Sequence, residues 1–318
     1  MEQIKNIKKD PDINYGYRKM TFALILLGYK INHKKVYRLM KENELLKDKY
    51  KKPAREFVKF GKVIPQGPLQ VLEMDIKFVW VEEYKRHAFI LSVIDTFTRV
   101  VLGWTVGYKI QQEQIKKLWA HIIETHLQPY DCLNKQINIE VRNDNDSRFI
   151  AKSVQNFFKE NQIHQVYTHP YTPQENGHIE SFHAILSEKL SRYVFWSLDD
   201  LEQCLTLFYD KYNNQRLHSA TLYLPPLFFW QYWENDFIEA KIDEKKRKIK
   251  FQLKVPYITL SGDLSLREVS CYNPKSLDGI EDYKNEYINN NEMDGAVPFQ
   301  RLSVENRPRS SLAIANVK

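Results

Sequence analysis

The sequence predicts an α/β protein in which a mixed five-stranded sheet is flanked by helices, with a small helical module ahead of it. Three observations carry this. Apolar residues recur at every second position from Leu72, as a half-buried strand requires, and at helical spacing from Ile115. The order of such runs is strand, strand, strand, helix, strand, helix, strand, helix. Meandering strands followed by alternating helices and strands imply a sheet of mixed direction with helices on its faces.

Residues 1–46 hold two helical patterns, Met20, Ala23, Leu24 and Leu27, then Val36, Leu39 and Met40 behind Asn32 as an N-cap. Gly28 separates them, giving the outline of a helix-turn-helix whose second helix exposes Lys34, Lys35, Arg38 and Lys41. An ordinary helical hairpin with a solvated basic face has the same periodicity. Residues 47–66 form a basic linker, with seven Lys and Arg against Asp48 and Glu56, interleaved with Tyr50, Phe57 and Phe60. Such a segment, Lys51 and Lys52 included, either tracks a phosphate backbone or is a solvated interdomain connection.

Residues 67–235 read as one catalytic-sized core. Leu72, Met74, Ile76, Phe78 and Trp80 alternate with Glu73, Asp75, Lys77 and Val79, so Asp75 points away from the main apolar face. Strand-like runs His87 to Ile94 and Arg99 to Val106 follow, the first after a turn at Glu82 to Arg86. A helix with the stripe Ile115, Leu118, Trp119, Ile122 and Ile123 leads to the alternating Ile137, Ile139 and Val141, a strand ending at Asp144. Ile150, Val154, Phe157 and Phe158 mark a second helix, and Ile163 to Thr168 a fifth strand. A third helix after the loop His169 to Gly177 buries Ile179, Phe182, Ile185, Leu186 and Leu190, with Glu180 beside that stripe. Leu198 to Tyr212 is a fourth amphipathic helix. Residues 236–318 form an extension with a basic run, Lys241 to Lys250, a strand-like stretch from Phe251 to Leu260, and a polar tail expected to be largely disordered.

Among 318 residues, 47 basic against 40 acidic side chains leave a net charge of +7, which favours a polyanionic partner. No apolar run approaches the roughly 20 residues that span a bilayer, and no signal peptide opens the chain, so the sequence is expected in the cytoplasm, without a membrane partner. Cys132, Cys204 and Cys271 are too widely spaced for a cysteine metal site.

Three acids occupy informative places: Asp75 in mid-strand, Asp144 just past a strand end, and Glu180 near a helix start. Converging carboxylates repel one another unless a cation neutralises them, and hard oxygen donors suit magnesium or manganese. Two such ions can activate a water or a 3′-hydroxyl and stabilise a leaving oxygen. With 40 acids in the chain, no single one is evidence, and a lone Asp at a strand end is commonly a turn-former or helix cap.

Motif context decides. VRNDNDSRFIA, then PYTPQENGHIESFHAIL, with 35 residues between Asp144 and Glu180, resembles the second and third acidic motifs of DDE transposases of bacterial insertion sequences, relatives of retroviral integrases. LEMDIKFVWV and VIDTFTRVVLGW resemble the family's first acidic strand and the hairpin after it. YGYRKMTFALILLGYKINHKKVYRLMKENELL resembles its helix-turn-helix, and YNNQRLHSATLYLPPLFF its closing motif. The resemblance implies an RNase H-like core in which Asp75, Asp144 and Glu180 hold magnesium or manganese, as two ions, for DNA cleavage and strand transfer. It implies a structural role for Asp95, places Asn176 and Gly177 in the loop presenting the third acid, and sets His169, Tyr171 and His178 near DNA or simply on the surface. It also implies DNA partners, both element ends and target, self-association on DNA, and an end-recognition module from an upstream reading frame.

The chain departs from the family pattern in two places. Asp146 and Arg148 stand where a glycine and a glutamine are usual, and Ser187 replaces a basic residue that touches DNA, with Lys189 two positions on as the substitute. A transposase remnant that binds DNA without cutting it, and an RNase H-like nuclease that hydrolyses without joining, are the competing readings.

Overall fold

The alternation that begins at Leu72 becomes β1 (Val71–Val81), the central strand of a five-stranded sheet in the computed structural model, which describes residues 1–46, 64–169, 176–243 and 248–260. β1 pairs antiparallel with β2 (Arg86–Asp95), and β2 with β3 (Val101–Gly107). On its other edge β1 runs parallel to β4 (Ile139–Asn143), which runs parallel to β5 (Ile163–Tyr167). The order β3-β2-β1-β4-β5 is the predicted mixed sheet.

Helices cover both faces. On one, Leu72, Met74, Leu91 and Val93 meet Ile115, Leu118, Trp119 and Ile122 of α4 (Gln112–Ile122) and Val154 and Phe158 of α6 (Lys152–Glu160). Gly103 of β3 lets α4 approach closely, since a Cβ there would lie 2.9 Å from Leu118 Cδ1 and 3.0 Å from Ile122 Cγ1 and both side chains would have to shift. On the other face, α7 (Gly177–Leu190) and α8 (Leu198–Asn214) bury Ile179, Phe182, Leu186, Leu201, Leu205 and Tyr209 against Ile90, Ile94 and Val101. Each fully buried side chain of this kind contributes roughly 1.5–3 kcal/mol. That is enough to hold α7 in place although it begins at a glycine. α8 starts with a reciprocal cap, Ser197 and Asp200 each bonding the other's amide at 3.1 Å.

Four elements differ from the sequence reading. The helix expected across Ile150 to Phe158 is two helices, α5 (Ser147–Ile150) and α6, because Ala151 is extended at ψ 132°. A first helix, α1 (Glu2–Lys9), precedes the helix-turn-helix, and α9 (Pro226–Glu234) closes the core. The basic run does not precede a single strand; its described residues belong to the antiparallel strands β6 (Ile238–Asp243) and β7 (Lys248–Leu253), residues 244–247 lie outside the described residues, and Tyr257–Leu260 forms a 3-10 turn. The polar tail, Cys271 included, and all of the basic linker except residues 64–66 lie outside the described residues.

The helix-turn-helix is α2 (Tyr17–Leu26) and α3 (His33–Glu42). Gly28 at φ +87° permits the turn, in a conformation a side chain would strain, and the Asn32 side chain accepts from the Lys35 amide at 2.9 Å. Met20, Leu24, Val36 and Met40 do not form a private core. They join Phe97, Leu217, Leu224, Phe228, Phe229 and Ile238 in one apolar cluster, so the N-terminal module, α9 and the hairpin are packed as a unit. Cys132 and Cys204 are both buried, and burial pushes each thiol up to about 11. No helix among the described residues is long and apolar enough to cross a membrane.

Candidate functional site

Asp75 lies in the middle of β1, opposite Ser92 of β2, with its side chain toward α7. Its Oδ1 accepts from the Ile76 amide at 2.8 Å, and its Oδ2 is 3.2 Å from Nδ1 of His183. Asp144 follows directly on β4. The β1–β4 pairing ends with Glu73 opposite Arg142, so Asp75 and Asp144 each lie two residues beyond the last pair. The two charges feel each other. Burial raises the Asp144 carboxyl above its usual range, the Asp146 amide partly offsets this, and the charges of Asp75 and Asp146 raise it further.

Glu180 is in the first turn of α7 and is exposed. Among the described residues, no three His, Cys, Asp or Glu side chains stand close enough together to hold a metal ion. Asp75, partly exposed on β1, and Asp144, exposed just past the end of the parallel strand β4, are mutually repelling oxygen donors. That donor set fits a hard divalent cation, whose charge favours the ionised carboxylates against the burial and repulsion that raise Asp144.

The unusual Asp146 is no spare ligand. Arg148 grips it through Nε at 2.8 Å and Nη2 at 2.5 Å, and the Arg148 amide donates to it as the cap of α5. The hydrogen bonds to Arg148 hold the Asp146 carboxyl below the ordinary value, so its charge is internally neutralised. Asp95 is wholly buried and consumed by Leu69, Phe97 and Thr98 amides and the Thr98 hydroxyl, which is a structural role.

Two residues that the sequence reading passed over complete the surroundings. His183 lies one turn beyond Glu180, is buried at 8%, and aims Nδ1 at Asp75, while its Nε2 is buried without a hydrogen-bond partner among the described residues. Its signal was available: 179, 183, 186 and 190 are at helical spacing, so a histidine stands in an apolar stripe. Glu73, two residues before Asp75 on the same face of β1, is 2% exposed and accepts from the amides of His178 and Ile179 and from the His178 ring.

The residues predicted to touch DNA are dispersed. Lys34, Lys35 and Arg38 are exposed on α3 beside the buried Val36 and Met40, with Arg38 3.6 Å from Glu42. Lys51 and Lys52 lie outside the described residues, as does Tyr171. Asn176 is buried, and its Oδ1 has no hydrogen-bond partner among the described residues. His178 is turned onto Glu73. Lys189 faces the N-terminal segment, where both Asp12 oxygens take its ammonium at 2.9 and 2.8 Å.

Residues 65–173 and 161–226 each match the integrase core domain family, a span of just over half the chain, and residues 1–53 match an HTH-like domain. Over 217 residues the chain is 28% identical to the uncharacterized 39.2 kDa protein of insertion element IS476 from Xanthomonas euvesicatoria, covering 68% of this chain and 60% of that protein. It is 24% identical over 238 residues to "Putative transposase InsK for insertion sequence element IS150" of Escherichia coli K12, covering 71% and 81%. The catalytic domain of Mos1 mariner transposase overlays 51% of this chain and 74% of its own, at a TM-score of 0.40 and 12% identity.

Proposed function

We propose that the chain, which matches the integrase core domain family over residues 65–173 and 161–226, is a DDE transposase of an insertion sequence that cleaves DNA strands and joins them to a target during transposition. The observation that carries the proposal is that Asp75, in mid-strand on β1, and Asp144, just past the end of the parallel neighbour β4, are close enough for the Asp75 charge to raise the Asp144 carboxyl. Glu180, in the first turn of α7, is the third acid of the proposed site.

In this reading Asp75, Asp144 and Glu180 would hold magnesium or manganese, as two ions. When bound, the metal supplies a polarised water or 3′-hydroxyl and charge stabilisation for an in-line phosphoryl transfer. The protein's own part is geometric. The sheet positions Asp75 and, at the end of β4, Asp144; His183 orients Asp75 from α7, and Arg148 keeps Asp146 from adding a fourth unneutralised charge. Lys34, Lys35 and Arg38 on α3, with Lys51 and Lys52, are the proposed DNA contacts, whereas Asn176 is buried and Lys189 is held by Asp12. The substrates are the element's ends and its target, the working form is a homo-oligomer on DNA in the cytoplasm, and an upstream-frame protein contributes end recognition.

The test is nicking of supercoiled plasmid by the purified chain with manganese or magnesium, parent against Asp144→Asn. Metal-dependent nicking by the parent alone is the expected result. Equal nicking by both variants would remove Asp144 from the site, and no nicking by the parent with DNA binding retained would favour the non-cutting remnant.

A further inference from the structure

We propose that Glu73 is a positioning residue, a clamp that fixes the helix turn carrying Glu180 to the strand carrying Asp75. This rests on the reading of those two acids as partners in one site. The first turn of a helix leaves amide donors unsatisfied, and a residue just ahead of the helix commonly caps them. Here that residue does not. Asn176 makes no side-chain cap bond, and its buried Oδ1 has no hydrogen-bond partner among the described residues. The cap comes from a strand more than a hundred residues upstream. Glu73 Oε2 accepts from the His178 amide at 3.0 Å and the Ile179 amide at 2.8 Å, while Oε1 meets His178 Nδ1 at 2.7 Å.

Glu73 and Asp75 are alternate residues of one strand and therefore share a face. Glu180 is the residue after Ile179, whose amide is the last one clamped. Three hydrogen bonds thus tie the turn that carries the third acid to the strand that carries the first, in a place where only 2% of Glu73 reaches solvent. The negative end of the clamp also lies at the positive end of the α7 dipole, its favourable position. Without Glu73, two amides lose their acceptor and the turn is free to move, and a displacement of ~1 Å in a reacting group can cost up to roughly 100-fold in rate.

The experiment compares parent, Asp75→Asn, Glu73→Ala, Glu73→Gln, Glu73→Asp and His178→Ala in manganese-dependent plasmid nicking, DNA affinity, and hydrogen exchange of the 177–181 backbone without metal. Glu73→Ala is expected to lower kcat about ten-fold or more with DNA affinity within about two-fold, and to speed exchange in that turn. Glu73→Gln keeps an acceptor for both amides and should restore most of the rate; His178→Ala should lower it less than Glu73→Ala. Parental kcat in Glu73→Ala, or a loss that appears only in DNA affinity, or a Gln variant no better than Ala, overturns the clamp. Should Glu73→Ala not fold, Glu73→Asp decides, since it draws the carboxylate back by one methylene from both amides, and parental rate with parental exchange there would equally overturn the clamp. If the parent itself does not nick, or Asp75→Asn nicks as well as the parent, the strand-transfer reading fails instead, and the exchange data alone judge the clamp.

Discussion

Replacing Asp12 by Asn should loosen the whole N-terminal module, and the size of the effect follows from its surroundings. Asp12 takes the Lys189 ammonium at 2.8 and 2.9 Å, stands 3.5 Å from Arg192 and 3.6 Å from Lys211, and its main-chain oxygen accepts from Arg216 at 3.0 Å. Only 14% of its side chain and 12% of that of Lys189 reach solvent, so water screens this pair poorly. Removing one partner of a buried pair costs about 3–5 kcal/mol, and the remaining exposure and the Tyr193 hydroxyl near Lys189 reduce this to about 2–3 kcal/mol. The assay is urea unfolding of Asp12→Asn, Lys189→Met and the double variant, with the pairwise coupling read from the cycle. Coupling of about 2 kcal/mol is expected. Coupling below ~0.5 kcal/mol, the range of an exposed pair, would refute the view that this ion pair anchors the module.

Two further outcomes are expected. Lys34→Ala with Lys35→Ala should weaken DNA binding and flatten its salt dependence by roughly 0.9 in log-log slope for each phosphate that is no longer neutralised; an unchanged slope means that α3 is merely solvated. Burial pulls the His126 imidazole down to about 4, where its Nε2 donates to the Leu102 carbonyl at 3.0 Å. Because the fold favours the neutral ring, this contribution is complete above pH ~6.5 and falls away as pH drops, with about 3 kcal/mol lost by pH 4. His126→Gln should therefore show a shallower stability loss than the parent across that window, and identical pH profiles would refute the assignment.

The sheet and its two helical layers were legible because their signals are strong and local. β1 alternates without interruption, and α4 and α8 carry clean apolar stripes. The candidate acids were legible through motif context, which ties Asp75, Asp144 and Glu180 to recognisable neighbours. What the residues alone did not announce was how the acids are supported. Glu73 reads as one more polar position in an alternating strand, and only the approach of α7 turns it into a cap. His183 shows in the sequence as a histidine within an apolar stripe, but only the approach of β1 reveals that it serves Asp75. α9 escaped because PLFFWQYWE is apolar nearly all round and shows no periodic contrast, and α1 because its eight residues hold only Ile4 and Ile7 as apolar anchors. The break at Ala151 followed no glycine or proline, so periodicity ran straight through it.

The apolar cluster that joins Met20, Val36 and Met40 to Leu217, Phe229 and Ile238 sets the order of synthesis against the order of completion. The helix-turn-helix leaves the ribosome before the sheet does, yet, Phe97 apart, the core residues outside the N-terminal module that cover it are made after the entire sheet. At 5–20 residues per second that interval is on the order of 10–30 s, during which the nascent module shows its oily side to water. A part of the chain that is born early is thus among the last to be sheltered, and chaperones have their opening there.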